Sequence, residues 1–184
     1  MTTNEVFKEL ETGDLKLIRL TDERAPEIFS LRTNEKAMKY IGRPAPASMQ
    51  DVYDFIKTFE DDLQNNRSIV WGILHTPTNE LAGTIGYHRM QPQNFRAEIG
   101  YMLFPKFWGK GVMSRCIKLV LEFGFNEMEL HSVEAHISPD NEASRQVLKK
   151  FGFVSEAYFR ENFFFNGKFL DSEVFSLLKS QYYK

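Results

Sequence analysis

Phe104-Pro105-Lys106-Phe107-Trp108-Gly109-Lys110-Gly111-Val112-Met113 decides how this chain of 184 residues is read. The run before it, Arg96 to Leu103, reads as a strand. From Gly111 to about Glu127 the apolar positions change to helical spacing, with Val112, Cys116, Leu119, Val120 and Phe123 on one face. The quoted stretch is therefore a strand end, a tight turn and the start of an amphipathic helix. Two glycines at alternate positions let the backbone bend where a Cβ would obstruct it, so consecutive N–H groups can converge on an anion at the positive end of the helix. A diphosphate suits such a cradle. The plainer alternative is a turn that only joins strand to helix. The spacing is neither that of dinucleotide-binding G-x-G-x-x-G turns nor that of a P-loop, which counts against hydride-transfer enzymes and nucleotide hydrolases.

Outward from the turn, the remaining elements follow from periodicity and punctuation. Leu15 to Leu20 partly alternates as a strand and stops at Thr21-Asp22, an N-cap region for a helix through about Leu31. Ser48 is placed to cap a second helix in which Val52, Phe55, Ile56, Phe59 and Leu63 recur at helical spacing. Ser68 to Leu74 and Leu81 to Arg89 flank the hairpin signal Thr76-Pro77-Thr78-Asn79-Glu80, and Arg96 to Leu103 follows a polar turn. Val133 to Ile137 reads as a short strand, and Asn141 to Phe151 as a helix ended by Gly152. Phe153 to Phe165 and Lys168 to Leu178 flank Asn166-Gly167, a strong hairpin signal. The order β-α-α-β-β-β-α-β-α-β-β predicts a mixed α/β fold. No repeat, low-complexity tract or linker interrupts it, so residues 1–184 are expected to form a single domain.

Composition excludes several function classes. Hydrophobic residues make up 42% and charged residues 26%, an ordinary soluble mixture, and a net charge of −2 provides no basic footprint for nucleic acid. Cys116 is the only cysteine, so there is neither an intrachain disulfide nor a multi-thiolate metal site, and a reducing compartment is the natural reading. It falls on the apolar helix face and reads as core rather than as an acyl-carrying nucleophile. The four histidines have no metal-ligand spacing. Met1 to Leu20 interleaves Glu5, Glu9, Glu11 and Asp14 among apolar residues, unlike a signal peptide, and no segment is long and uncharged enough to span a bilayer. The expected location is the cytoplasm, with no nucleic-acid or membrane partner; a homodimer remains open.

With the turn placed between strand and helix, the sequence resembles the GNAT superfamily of acyl-CoA-dependent N-acyltransferases. That family's pyrophosphate loop is Arg/Gln-x-x-Gly-x-Gly/Ala at the start of a central helix; here it falls on Trp108 to Met113, with Gly111 at the central glycine. Trp108 replaces the Arg/Gln and Met113 the final small residue, a variant similar to the ribosomal-protein N-terminal (alanine/serine) acetyltransferase branch. Ala97-Glu98-Ile99-Gly100-Tyr101-Met102-Leu103 before the loop, and Asn141-Glu142-Ala143-Ser144 running on to Phe151-Gly152-Phe153 after it, agree in order and spacing. The resemblance implies a GNAT fold: a mixed, mostly antiparallel sheet of about six to seven strands with a splayed central pair and flanking helices. It also implies acetyl-CoA as cosubstrate, with Trp108, Gly109, Lys110, Gly111, Val112 and Met113 around its diphosphate. Met102, Leu103 and Asn141 would lie along the pantetheine arm, and no metal is implied.

The implied reaction is direct attack of a neutral primary amine on the acetyl thioester in a ternary complex, with a backbone N–H near Met102 stabilising the oxyanion. Glu98 sits in an otherwise apolar strand, at the place where histone-type relatives carry their base; the alternative is a structural carboxylate paired with Arg89 or Arg96. Ser144 is the implied proton donor to the thiolate, since the Tyr that many relatives use falls here on Leu148. Asn141 offers an amide to pantetheine or simply caps its helix. Glu161, before the Asn166-Gly167 turn, is the second-choice base. The expected acceptor is a protein or peptide N-terminal amine, whose pKa of about 7.7 to 8.0 asks little of a base. Alternatives are a polyamine or aminoglycoside-like small amine, or a CoA-binding domain without catalysis.

Overall fold

A computed structural model describes residues 7–184. Residues 1–6, which include Glu5 of the charged N-terminal stretch and the first residues of the expected domain, lie outside the described residues. Among the described residues, eight strands form one sheet in the order β1-β2-β3-β4-β5-β6-β8-β7. In chain order these are β1 (Leu10–Thr12), β2 (Leu15–Arg19), β3 (Ile69–His75), β4 (Glu80–Gln91), β5 (Arg96–Leu103), β6 (Ser132–Ile137), β7 (Val154–Phe165) and β8 (Lys168–Leu178). Six α-helices accompany them: α1 (Ala25–Thr33), α2 (Glu35–Met38), α3 (Met49–Gln64), α4 (Val112–Asn126), α5 (Glu142–Lys150) and α6 (Lys179–Tyr182). Only β5 and β6 are parallel; every other neighbouring pair is antiparallel. The expected sheet therefore stands, with one strand more than foreseen: β1 has three residues, too few for an alternation to show.

Alternation along the strands sends successive side chains to opposite faces, and each face carries its own core. On one face Trp71, Ile73, Ile85, Tyr87 and Ile99 pack with Cys116, Ile117 and Val120 of α4. On the other, Val70 and Leu81 meet Ile28 of α1 and Val52 and Ile56 of α3. The side chain of Ser48 accepts from the Asp51 N–H while the Asp51 carboxylate accepts from the Ser48 N–H, a reciprocal cap that contributes about 1 kcal/mol to α3. The first helix starts later than its Thr21-Asp22 signal. Asp22–Arg24 form a 3-10 turn, the Thr21 side chain makes no capping bond, and α1 begins at Ala25 with Pro26 in its first turn, where a missing N–H costs nothing. Asn166 and Gly167 both take positive φ, 48° and 76°, as the tight β7–β8 hairpin requires. Among the described residues, no helix is long and apolar enough to cross a membrane.

Candidate active site

The site begins where two parallel strands part. β5 pairs with β6 only from Arg96 to Glu98, whereas β6 pairs with β8 along its whole length, from Ser132 to Ile137. Beyond Glu98 the two strands therefore follow different neighbours, and the backbone of β5 is left with one side unpaired. Which residues face the gap follows from the ladder. The Phe104 N–H donates to Ala82 O on the β4 side, whereas Phe95 O accepts from Ser132 on the β6 side. In a strand, alternate residues turn their N–H and C=O to opposite neighbours. The groups of Gly100 and Met102 therefore belong to the β4 ladder, and those of Ile99, Tyr101 and Leu103 face the gap. This corrects the expectation for Met102, whose backbone cannot supply the gap-facing N–H; its side chain lines the cleft instead. Leu103 O is already taken, because the Trp108 indole Nε1–H donates to it at 3.0 Å. Unpaired backbone amides in a gap of this kind match an amide-bearing chain laid along them like an added strand.

The glycine turn lies at the end of the same strand. Gly109 and Gly111 have φ of 70° and 72°, the left-handed region that side chains disfavour, and a Cβ at either would meet nothing within 4 Å. The space above both glycines is open. α4 starts at Val112 with Gly111 as its N-cap and no side chain capping its first N–H groups. The fit to a CoA diphosphate thus rests on free first-turn amides above a turn without side-chain cover. Val112 and Met113 bury their side chains in the core, so only their backbone can serve such a ligand, while Trp108 and Lys110 remain exposed.

Across the gap stands α5. Asn141 is its N-cap: Oδ1 accepts from the Ser144 N–H at 3.2 Å, which leaves the Nδ2 hydrogens without an acceptor among the described residues. Arg145 ties the helix to β8 by donating to Glu173 at 2.6 Å, and it also donates to Glu142 and to Pro139 O. Ser144 is thereby turned into the cleft, where the Tyr101 hydroxyl lies beside it. That phenol is buried and closes no hydrogen bond of proper geometry with Ser144 or any other group, and burial pushes its pKa up while the serine pulls the other way. A buried donor without an acceptor, next to a serine hydroxyl, is poised for a third partner.

Glu98 lines the cleft, but its carboxylate accepts from Arg89 at 2.9 Å, the structural pairing foreseen as the alternative to a free base. Arg96 pairs instead with Glu134. Oxygens of Glu98 and Glu134 and a nitrogen of His136 lie within 4.8 Å of one another. Both carboxylates are already committed to arginines, which leaves this trio ill suited to a cation. Glu161 occupies a bulge of β7 at φ 51°, where its N–H donates to Asp171 at 2.8 Å; it does not line the cleft, whereas Phe163 does. Cys116 is fully buried and its thiol is pushed up to about 12 by burial, as a core residue should be.

The outer end of the cleft was not foreseen. The cavity measures about 400 Å³ and continues past Glu98 to His88, Arg32 and Arg43. His88 lies against Gly100, and its pKa is pushed down to about 4, first by burial and then by the charges of Arg43 and Arg89. Sequence pattern had no means of finding this group, because Arg32 stands at the end of α1, Arg43 in the segment after α2 and His88 in the middle of β4.

A mostly antiparallel sheet with one parted parallel pair, a side-chain-free turn at a helix start and a cleft leading into the gap define a protein that binds an acyl carrier and brings an acceptor to it. The Acetyltransferase (GNAT) domain family matches residues 14–154. The uncharacterized N-acetyltransferase YoaA of Bacillus subtilis is 37% identical over 174 residues, covering 95% of this chain and 98% of that one. The spermidine N(1)-acetyltransferase of Vibrio cholerae is 24% identical over 182 residues, covering 99% and 97%. The solved structure of RimL, the ribosomal L7/L12 alpha-N-protein acetyltransferase in complex with coenzyme A, shares the fold with a TM-score of 0.85 at 20% identity, over 93% of this chain and 98% of that one. The chain belongs to the GNAT acetyltransferase family and is an acetyl-CoA-dependent N-acetyltransferase.

Proposed function

We propose that the chain, acting as a single domain over residues 1–184, transfers the acetyl group of acetyl-CoA by direct attack of the α-amine of a protein or peptide N-terminus seated in the cleft. The observation that carries this reading is the state of the cleft's carboxylates. Glu98 is held by Arg89, and Asp62 by Arg67 at 2.7 Å and Ser68. Neither is free to strip a proton from a strongly basic amine, so the acceptor must supply much of its own neutral form. At pH 7 the neutral fraction of an α-amine exceeds that of a lysine-like amine by roughly two orders of magnitude.

In this reading the free amides of Val112 and Met113, with Gly109, Lys110, Gly111 and Trp108 shaping the approach, hold the diphosphate, and the gap-facing groups of β5 with the Asn141 amide hold the pantetheine arm. The amine nitrogen attacks the acetyl carbon, and a gap-facing N–H of β5 stabilises the charge that develops on the acetyl oxygen. As the carbon–sulfur bond breaks, Ser144, with Tyr101 beside it, gives the departing sulfur a hydrogen bond and relays to it a proton that the hydroxyl regains from solvent, so CoA leaves as its thiol. Glu98, fixed by Arg89, orders the water that takes the proton from the amine.

The test compares acetyl-CoA turnover on a peptide with a free α-amine and on spermidine across pH. The peptide is expected to dominate near pH 7. Glu98→Gln should cut peptide turnover about tenfold there, with the loss shrinking as pH rises and the amine deprotonates by itself. Glu161→Gln should leave the profile in place. Equal use of spermidine at pH 7, or an acidic limb that collapses in Glu161→Gln and not in Glu98→Gln, would overturn the reading.

A further inference from the structure

The outer cleft gathers two arginines that, among the described residues, no carboxylate pairs with directly. Arg32 is half-buried at the end of α1, with its guanidinium carbon 4.0 Å from the centre of the Phe55 ring and Nη2 donating to Pro44 O at 3.3 Å. It has no carboxylate partner among the described residues. Arg43, which also lines this end of the cleft, makes no side-chain hydrogen bond or ion pair among the described residues. Burial first, and then the charge of Arg43 on the same cleft lining, holds Arg32 below its ordinary value. The acids that could have neutralised them are engaged elsewhere: Asp62 by Arg67, and Glu98 by Arg89. His88, which lines the same end of the cleft, is kept neutral and adds no further positive charge.

Two like charges brought together on one wall, one of them stacked on an aromatic ring and partly desolvated, are unfavourable unless something else completes the group. Arginine is also the side chain whose planar fork matches a carboxylate or phosphate with paired hydrogen bonds. Stacking on Phe55 fixes the plane of that fork in advance, which lowers the ordering cost of binding.

We propose that Arg32 and Arg43 form an anion clamp for the acceptor, so that the amine acetylated here belongs to a compound carrying a carboxylate or phosphate group rather than to a polycation. The clamp and the acetyl-transfer machinery share one cleft, so an acceptor anchored by its anion at the outer end extends its amine toward Glu98 and Ser144. This assignment rests on the acceptor reading given above and narrows it.

Matched acceptors test it. Alanylalanine against alanylalanine amide isolates a carboxylate, phosphoethanolamine against ethanolamine isolates a phosphate, and spermidine is the cationic control. The anionic member of at least one pair is expected to exceed its neutral partner about tenfold or more in kcat/KM, the worth of a charge-assisted hydrogen bond or two. The pair that shows the preference identifies which anion the clamp takes. R43Q and R32Q should each erase it by raising the KM of the anionic acceptor and not that of acetyl-CoA. Because Arg43 is exposed, R43Q keeps the test independent of folding. Neutral partners or spermidine used as well as the anionic acceptors, or variants that slow both members of a pair alike, would overturn the clamp while leaving acetyl transfer intact. If none of these amines is acetylated, the acceptor reading fails, and calorimetric titration of the CoA-bound protein with alanylalanine and phosphoethanolamine still decides the clamp. Binding that R43Q abolishes supports it; no binding by either compound refutes it.

Discussion

At the inner end of the cleft the groups to which the proposed function assigns work belong to the backbone: the amides of Ile99, Tyr101 and Leu103 along the gap, and the first-turn amides of α4 above Gly109 and Gly111. At the outer end they belong to side chains: Arg32, Arg43 and His88, supplied by a helix, the segment after α2 and a strand remote in sequence. The inner end is contiguous, because strand, turn and helix start follow one another from Arg96 to Val112. A site of that kind can hold the same carrier molecule in every relative of the fold while the outer end varies with the acceptor. The two relatives named by substrate, one for a ribosomal protein and one for spermidine, carry that contrast on one architecture.

The strongest way to break this division is at Gly111. Valine there must hold φ near +72°, which for a β-branched residue costs on the order of 1–3 kcal/mol, and its side chain would enter the open space above the turn. CoA affinity, measured by calorimetry, is expected to fall on the order of a hundredfold in a variant whose circular dichroism remains that of the wild type. Undiminished affinity in that folded variant would mean that the inner end does not recognise its ligand through this turn.

The same division explains what was legible in the sequence. The turn announced itself because glycine is the residue that tolerates its φ, and the strand and helix on either side announced themselves by period; all three signals are local. The parting of β5 from β6 came only from family resemblance, since nothing in Arg96 to Leu103 says where its neighbour leaves. The side on which each amide of β5 falls was legible only from pairing, which is why Met102 was placed in the gap and Tyr101 and Ile99 were not. Glu98 read either as a base in an apolar strand or as a structural carboxylate paired with Arg89 or Arg96, and only the fold, which brings Arg89 to it across the β4–β5 bulge, says which arginine reaches it. Arg32 and Arg43 gave no signal at all, because a charged residue in a helix end or a loop is ordinarily solvated.

A sharper probe of the inner end is Ser144→Ala. Loss of a single donor to developing charge commonly costs two to three orders of magnitude, but the Tyr101 phenol beside Ser144 has no other partner and can turn to the same sulfur. The expected loss in kcat is therefore only about tenfold, with the KM for acetyl-CoA unchanged, and adding Tyr101→Phe should deepen it well beyond the product of the two single effects. Equal kcat in wild type and Ser144→Ala at saturating substrates would return Ser144 to capping and packing, and a strictly multiplicative double variant would remove Tyr101 from the chemistry.

The outer end can be read without any acceptor, and apart from turnover, through the pH dependence of stability at His88. Its folded value of about 4 lies below the ordinary 6.5, so between those values the unfolded chain takes up a proton that the folded protein refuses. Stability must therefore fall as pH drops from 6.5 toward 4 and stay lowered below it, by roughly 3 kcal/mol at most for a shift of this size. His88→Gln has no such proton to take up, so its thermal midpoint should decline less over that window. Asp62 and Glu98, the carboxylates that share the cleft wall, are present in both proteins, so the difference between the two curves belongs to the imidazole. Superimposed curves would show that the outer end does not exclude the proton. Because Arg43 contributes to the depression, an anion bound between Arg32 and Arg43 must cancel part of its field and let His88 hold its proton to higher pH. Phosphate should accordingly narrow the gap between wild type and His88→Gln, and should do so less when Arg43→Gln is present in both.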